Sequence, residues 1–356
     1  MSLKKMRSKI DSIDKSIVNL LSERSKITLS IGKLKTKNGK SIFVPEREAD
    51  VYRKIETNNK GPLDNDAVKA VFREIMSGSL KLEKNIEVAY LGPAYTYTHM
   101  ASMKKFGSSV SYKSCKSITD VFVDVERGRS DYGVVPIENS FEGAVNHTLD
   151  MFVDSGLKIC SEVFLEISHS LLSKESDMSK IKKVYSKAEV FGQCRQYLEA
   201  NLPGVELMEA PSTANAADIA SRQRGVGCIA SELAARRYGL KIIARSVEDS
   251  SHNVTRFLVI GRTEAKPTKK DKTSLMISLK DRVGALHDML TAFKNHKINL
   301  TKIESRPSKV RPWEYYFFID LSGHHLDRKV DEALREVKKV SQYIKVLGSY
   351  PEGEKV

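Results

Sequence analysis

Between Leu3 and Leu34 the side chains Leu3, Met6, Ile10, Ile13, Ile17, Leu20, Arg24, Ile27, Ile31 and Leu34 follow one another at alternating spacings of three and four. Such a heptad seam commits this stretch to one long amphipathic helix. At 1.5 Å per residue it spans roughly 48 Å, more than a segment of about 80 residues covers by itself. The seam is therefore expected to pack against a second chain. Arg24 is its only polar member, and a guanidinium there is costly unless an anion meets it. An internal salt bridge or a register-fixing device is one reading of Arg24. Arg7 and Lys35, each one turn from a seam residue, flank the same face, so three cations converge.

After the turn Lys37-Asn38-Gly39-Lys40, Pro45 suits the first position of a short helix in which Arg47, Val51 and Ile55 share a face, with Glu48 beside them. Gly61-Pro62 closes it. A third helix follows Asp64, with Val68, Phe72, Ile75, Met76, Ser79 and Glu83 along its inner stripe. The strings MRSKIDSIDK, LLSERSKI, IGKLK, VPEREADVYRKI and MSGSLKLE resemble the all-helical chorismate mutases over residues 1–84. The resemblance implies a dimer whose pocket is lined by Arg24, Lys35, Arg47, Glu48, Ser79 and Glu83, with Arg7 entering from the partner chain. Chorismate carries two carboxylates, which arginines clamp bidentately, and Lys35 is placed to donate to the ether oxygen as charge develops there. Glu83 stands where the best-known bacterial members carry Gln. An ionised Glu cannot donate, so Glu83 is expected to hold a proton, and mutase activity to fall as pH rises. Val44 stands where some relatives have Asp.

The 356 residues predict two or three domains. Net charge is +14, divided as +8 over residues 1–84, −1 over 85–265 and +7 over 266–356. A basic excess attracts nucleic acid and small polyanions alike. A basic coiled-coil scaffold that binds nucleic acid is thus the alternative reading, opposed by the split charge and by the absence of aromatic residues interleaved with a basic cluster. Cys115, Cys160, Cys194 and Cys228 form no C-x-x-C pair, which argues against a zinc site or disulfide framework. With no signal-like segment and no run of ~18 apolar residues, a cytoplasmic protein without membrane partners is expected.

From Asn85 short β-rich runs (IEVAYLG, YGVVPI, GLKIC, VGCIA, RFLVIG) alternate with helix-like stretches such as SITDVFVDVERG and TANAADIASR. This is an α/β pattern, long enough for two lobes with a cleft. The polar strings GPAYTYTH, VPIENSFEGAV and HNVTRFLVI sit at strand ends, where catalysis is commonly housed. With YSKAEVFGQCRQYL, PSTANAA and GCIASELAA they resemble prephenate dehydratase over residues 86–262. The resemblance puts Thr255 of the T-R-F motif at the reaction centre. It makes Thr96, Glu138, Asn139, Ser140, Ser212, Thr213, Asn253, Arg256 and Phe257 candidate substrate-binding or supporting groups. Loss of the ring hydroxyl calls for a donor at the departing oxygen, and Thr255 is expected to act by hydrogen bonding with a relay behind it. Tyr95 replaces a family glycine and is expected to avoid positive φ, so that the loop differs or the ring covers the cleft.

Residues 263–272, RTEAKPTKKD, read as a polar, basic linker. Then SLMISL, GALHDMLTAFKNH, NLTKIESRP, WEYYFFIDL, HLDRKVDEALREVKKV and YIKVLGSY give the order βαββαβ, with an exposed sheet edge suited to pairing with another chain. GALH, NLTKI and ESRPSKVRPWEYYFF resemble the ACT domain attached to prephenate dehydratases, over residues 273–350. That implies phenylalanine bound at an ACT dimer interface through Gly284, Ala285, Leu286, Asn299, Leu300, Glu304 and Ser305. Val283 replaces a proline common in relatives. The expected architecture is an all-α domain (1–84), a two-lobed α/β domain (85–265) and an α+β domain (272–356). The expected enzyme takes chorismate through prephenate to phenylpyruvate without metal or organic cofactor, as a homodimer or homotetramer. Arogenate is the alternative dehydratase substrate.

Overall fold

The structure, a computed structural model, describes residues 2–39, 41–250, 252–308 and 314–354. Lys40 of the first turn, Ser251 of the string before T-R-F, and the start of the WEYYFFIDL strand at Trp313 lie outside the described residues. The chain forms two compact units, residues 1–87 with 105–111, and residues 88–104 with 112–356.

In the first unit α1 (Leu3–Lys37), α2 (Pro45–Asn58) and α3 (Asn65–Glu83) follow the predicted helices. Ser2 and Asp64 cap α1 and α3 by accepting from the Lys5 and Ala67 amides. The seam of α1 is open to solvent: Leu3, Met6, Ile10, Ile13, Ile17 and Leu20 are each 44–64% exposed. Its buried residues are Thr28 and Gly32, in the C-terminal half where α3 lies alongside. A Cβ on Gly32 would stand 3.0 Å from the Glu83 Cα, so glycine is what lets the two helices approach here.

Val44 occupies the N-cap of α2 and contributes no side-chain hydrogen bond; its carbonyl alone accepts from the Arg47 and Glu48 amides. Val44→Asp supplies the missing acceptor and a favourable charge at the helix N-terminus. It is expected to stabilise this unit by about 0.5–2 kcal/mol. The measurement is the midpoint of thermal unfolding of this unit, and no rise would show that the cap position is already satisfied.

The second unit begins with β1 (Glu87–Leu91), α4 (Tyr97–Phe106), β2 (Ser111–Cys115), α5 (Ile118–Glu126), β3 (Tyr132–Asn139), the short β4 (Gly143–Ala144), α6 (Asn146–Asp154) and β5 (Lys158–Glu166). A second lobe follows: β6 (Ser170–Ser173), β7 (Lys183–Ser186), α7 (Ala188–Gln193), α8 (Arg195–Asn201), β8 (Glu206–Glu209), α9 (Thr213–Arg222), β9 (Val226–Ala230), α10 (Glu232–Tyr238) and β10 (Lys241–Ala244). Strand β11 (Val254–Gly261) then returns to the first lobe, between β3 and β5. The sheet orders are β2-β1-β3-β11-β5 and β10-β6-β9-β7-β8. Two segments crossing side by side join the lobes, with Ile167 N–H donating to Asn253 O at 2.7 Å and Val247 N–H to His169 O at 2.9 Å.

The rest is β12 (Asp271–Leu279), α11 (Ala285–Asn295), β13 (Leu300–Pro307), β14 (Tyr315–Ser322), α12 (Arg328–Val340) and β15 (Ser341–Pro351), the predicted βαββαβ order, in an antiparallel sheet β13-β14-β12-β15. Strand alternation gives this sheet two apolar faces. Leu275, Ile277, Ile319 and Leu321 meet α11 and α12 through Met289, Phe293, Ala333 and Val337. Met276, Phe318, Leu347 and Tyr350 join one core with Ile137, Leu149, Phe152, Ile159 and Leu258 of the first lobe. The domain is docked rather than tethered. Lys272, read from the sequence as the last residue of a polar, basic linker, is 5% exposed, its ammonium 2.7 and 2.9 Å from the two oxygens of Glu162. A lysine is tolerated there because the carboxylate meets it.

Candidate functional site

In the helical unit α1 and α3 bring four of the expected residues together. The Arg24 guanidinium donates to the Ser79 hydroxyl, and Lys35 Nζ lies 2.8 Å from both Glu83 Oε2 and the Ile42 carbonyl. Burial pushes the Arg24 guanidinium below its usual range, the Arg47 charge adds to this, and Glu83 opposes it. Arg47 itself is 64% exposed and held by Asp50 at 2.7 Å, while Glu48 pairs with Lys105 at 2.6 Å. Arg24 and Arg47 lie near enough for one charge to act on the other, the arrangement a small dianion would relieve. Arg7 is not part of this cluster: it lies 17 residues before Arg24 on the same straight helix, about 26 Å away.

In the dehydratase-like lobes the expected residues divide between two faces of one sheet. Asn139 and Thr255 are cross-strand partners in β3 and β11, and Asn139 Nδ2 donates to Thr255 Oγ1 at 2.8 Å and to Asn253 Oδ1 at 2.7 Å. Because Thr255 Oγ1 accepts from Asn139, its own proton is left to point elsewhere. Asn253 is 2% exposed and donates in turn to Gln193 Oε1 at 3.0 Å. Gln193 Oε1 is also 2.9 Å from His169 Nε2, and His169 Nδ1 is 2.9 Å from the Tyr97 hydroxyl. Gln193 Nε2 reaches Glu142 Oε1 at 3.1 Å. The sequence reading named neither Gln193, His169, Tyr97 nor Glu142 as site residues. All four lie in strings it quoted or in the crossing segment, but only folding brings residues 97, 169 and 193 up behind Asn253. Burial lowers the His169 imidazole, with Gln193 and Glu248 opposing, and drives the Cys194 thiol up to about 12.

The remaining candidates are placed otherwise. Glu138 and Arg256, the cross-strand partners next along β3 and β11, point to the opposite face. There the Arg256 guanidinium is engaged by Glu162, Asp320 and Tyr350 rather than lying with Thr255, and Glu138 lies 3.0 Å from Lys302. Phe257 is a core residue, 2% exposed. Ser140 spends its hydroxyl joining the ends of β3 and β11, donating to His252 O and accepting from Val254 N–H. Thr96 Oγ1 lies against the Leu91 and Pro93 carbonyls. Ser212 caps α9 by accepting from Asn215 N–H, and Thr213 is buried at the first turn of that helix.

Tyr95 overturns the expectation that tyrosine would avoid positive φ: it sits at φ +70°, following a cis Gly92-Pro93 peptide. Left-handed backbone costs a non-glycine residue about 1–2 kcal/mol. Here the Tyr95 amide donates to His99 Nδ1 at 3.1 Å, and its ring packs edge-on against His99 and Tyr238 with the Arg237 guanidinium 5.5 Å above. These contacts offset the strain, and glycine could not make the ring contacts.

In the C-terminal domain Gly284 takes φ +79° at the start of α11, Ala285 is buried and Leu286 is 40% exposed. Asn299 and Leu300 line an open concavity of about 430 Å³ with Leu290, Phe293, Lys294, Lys297 and Ile298. The two groups are not gathered into that concavity, since Gly284–Leu286 and Glu304–Ser305 are absent from its lining. Among the described residues no cluster of three His, Cys, Asp or Glu could hold a metal, and no helix is long and apolar enough to cross a membrane.

Comparison with known proteins assigns families to all three parts. The chorismate mutase type II family matches residues 6–84, prephenate dehydratase residues 88–265 and the ACT domain residues 273–339. A bifunctional chorismate mutase/prephenate dehydratase of Aquifex aeolicus is 49% identical over 353 residues, covering 98% of each chain. That of Escherichia coli K12 is 30% identical, covering 97% of this chain and 95% of its own. A solved structure of prephenate dehydratase in complex with L-Phe from Arthrobacter aurescens superposes with a TM-score of 0.68 at 32% identity, covering 75% of this chain and 90% of that one. With the three modules in the same order and nearly the full length shared, this chain belongs to the family of bifunctional chorismate mutase/prephenate dehydratases.

Proposed function

We propose that Arg24, Arg47 and Ser79 hold the carboxylates of chorismate, that Lys35 and Glu83 face its ether oxygen, and that Arg7 is supplied by a second chain. In this reading residues 1–84, 85–265 and 272–356 form the three working modules of a cytoplasmic homo-oligomer. Two observations support the second chain: the open apolar seam of α1 and the distance of Arg7 from Arg24. The rearrangement needs a compact conformer and compensation of developing charge rather than a covalent catalyst. In the free chain Lys35 is spent on Glu83 and on the Ile42 carbonyl, so chorismate displaces existing bonds and the pair is preorganised at the ether oxygen. Glu83, 2.8 Å from the Lys35 ammonium, holds that donor in place. Glu83→Ala, which leaves Lys35 without its partner, is expected to lower the mutase rate well below that of Glu83→Gln, which keeps a polar group there; equal rates in the two variants overturn this role.

For the second reaction, prephenate binds with its ring hydroxyl at Thr255. The C–O bond and the bond from ring to carboxylate break, CO2 leaves, and the electron pair freed by decarboxylation aromatises the ring. Thr255 donates a hydrogen bond to the departing oxygen, which leaves as hydroxide and takes a proton from solvent to become water. The Asn139 hydrogen bond to Thr255 Oγ1 carries this reading, because it leaves that proton available. The row Asn253–Gln193–His169–Tyr97 holds Asn139 in orientation and supplies the polar backing that the sequence reading left unnamed. Phenylalanine is the proposed effector, bound between two ACT domains by Gly284, Ala285, Leu286, Asn299, Leu300, Glu304 and Ser305. Asn299 and Leu300 line an open concavity, and the half-exposed Leu286 lies at the start of α11. A coupled assay from chorismate to phenylpyruvate with phenylalanine titrated in tests all three parts. Prephenate that accumulates, or turnover insensitive to phenylalanine, rejects the second or third, and faster turnover of arogenate than of prephenate changes the substrate.

A further inference from the structure

The face of the first-lobe sheet opposite Thr255 is covered by the ACT sheet, and the contact is unusually charged. Arg256 donates to Glu162 Oε2 at 2.7 Å, to Asp320 and to the Tyr350 hydroxyl at 2.9 Å. Glu162 also receives Lys272, and Asp320 also receives the Ser274 hydroxyl. The Arg256, Glu162, Asp320 and Lys272 side chains are 7, 0, 9 and 6% exposed. Burial works against the Asp320 carboxylate, yet Arg256, Ser274 and Lys272 together hold it below its ordinary range. At the edge of the same contact Lys302 of β13 meets Glu138 of β3 at 3.0 Å.

Buried ion pairs gain little over apolar packing of the same volume. An apolar core already joins the two sheets around this network. The charges therefore do something other than add adhesion: their directional bonds fix the lateral placement of one sheet on the other. What they fix is specific. Arg256 is the peptide neighbour of Thr255, and Glu138 that of Asn139, so each strand residue in the dehydratase cluster has its immediate neighbour bound to an ACT side chain. From Asp320 to Thr255 the path is one guanidinium and one peptide unit. The packing leaves a cavity of about 20 Å³ beside Arg256, Ser274, Lys302 and Asp320, room for one water and hence for small readjustments of this contact.

We propose that Asp320 and Lys302 of the ACT sheet are positioning residues for the dehydratase, acting through Arg256 and Glu138 to place Thr255 and Asn139. The regulatory domain is thereby part of the dehydratase assembly. This rests on Thr255 lying at the reaction centre. The test is made on the full chain, with Lys302→Met at the rim of the contact, where its partner Glu138 is 37% exposed, and Asp320→Asn at the buried centre. Lys302→Met is expected to lower dehydratase kcat about tenfold, the scale of a slight misplacement of a reacting group. KM, mutase rate and melting temperature are expected to stay near wild type, and Lys302→Arg to restore kcat. Glu138→Gln should lose at least as much, since it also removes the 3.8 Å contact with Arg256, and adding Lys302→Met to it should cost nothing further because their shared interaction is already gone. Wild-type kcat in Lys302→Met and Asp320→Asn overturns the proposal, as do losses that appear only as a raised KM or a lowered melting temperature. A Thr255→Val chain assayed alongside separates the two readings: if it turns over prephenate normally, the reaction centre is elsewhere; if it is inactive while Lys302→Met and Asp320→Asn are normal, only the positioning role falls.

Discussion

Thr255→Val is expected to reduce dehydration of prephenate by about 10²–10³-fold, the usual worth of one hydrogen-bond donor aimed at charge that develops in the transition state, with chorismate rearrangement untouched. Valine keeps the shape of threonine and suits a strand, so the loss is of the hydroxyl alone. The residue is 9% exposed in the middle of the Asn139 and Asn253 cluster. Removing its oxygen also strands one donor of Asn139, which costs a further ~1–3 kcal/mol of local satisfaction. Thr255→Ser retains the hydroxyl and is expected to keep much of the turnover. Mutase activity in the same preparation serves as the internal control, since it belongs to the other compact unit. Near-normal dehydratase turnover in Thr255→Val would remove Thr255 from the reaction.

Gly348→Ala should destabilise the dehydratase–ACT unit by about 3 kcal/mol or more, at the upper end for overpacking. Strand β15 passes β5 so closely here that a Cβ would stand 2.2 Å from the Ile159 carbonyl oxygen and 2.8 Å from its amide nitrogen. The obstacle is backbone inside a paired strand, which cannot turn aside as a side chain can. Relief requires the two sheets to part, breaking the shared core around Phe318, Leu347 and Tyr350. Thermal melting monitored by dehydratase activity should show an early transition. A melting curve identical to wild type would mean that β15 does not lie against β5 in this register.

Much of the architecture was legible before folding because it rests on local periodicity. The seam from Leu3 to Leu34, the Pro45 and Asp64 helix starts and the βαββαβ order each depend on neighbours within a few residues, and all are present. Motif resemblance located Asn139, Asn253 and Thr255, which are in mutual contact. It also named Arg256 and Glu138, which face the other way, because a motif records which residue types recur but not which way each faces. In a strand consecutive residues face opposite ways. Half of an E-N-S or T-R-F string therefore serves a different surface from the other half.

The chain's own order of residues was enough to set the helix lengths, the strand alternation and the cation in the α1 seam, since helix and strand periods are short-range properties of a polypeptide. Folding had to settle what each side chain meets across long separations: Arg256 with Asp320, His169 with Gln193 and Tyr97, Gly348 with Ile159. It also made a docked domain of one that looked tethered, and let Tyr95 hold φ +70°. Those outcomes depend on desolvation and packing against distant partners, energies that exist only once the surfaces have come together.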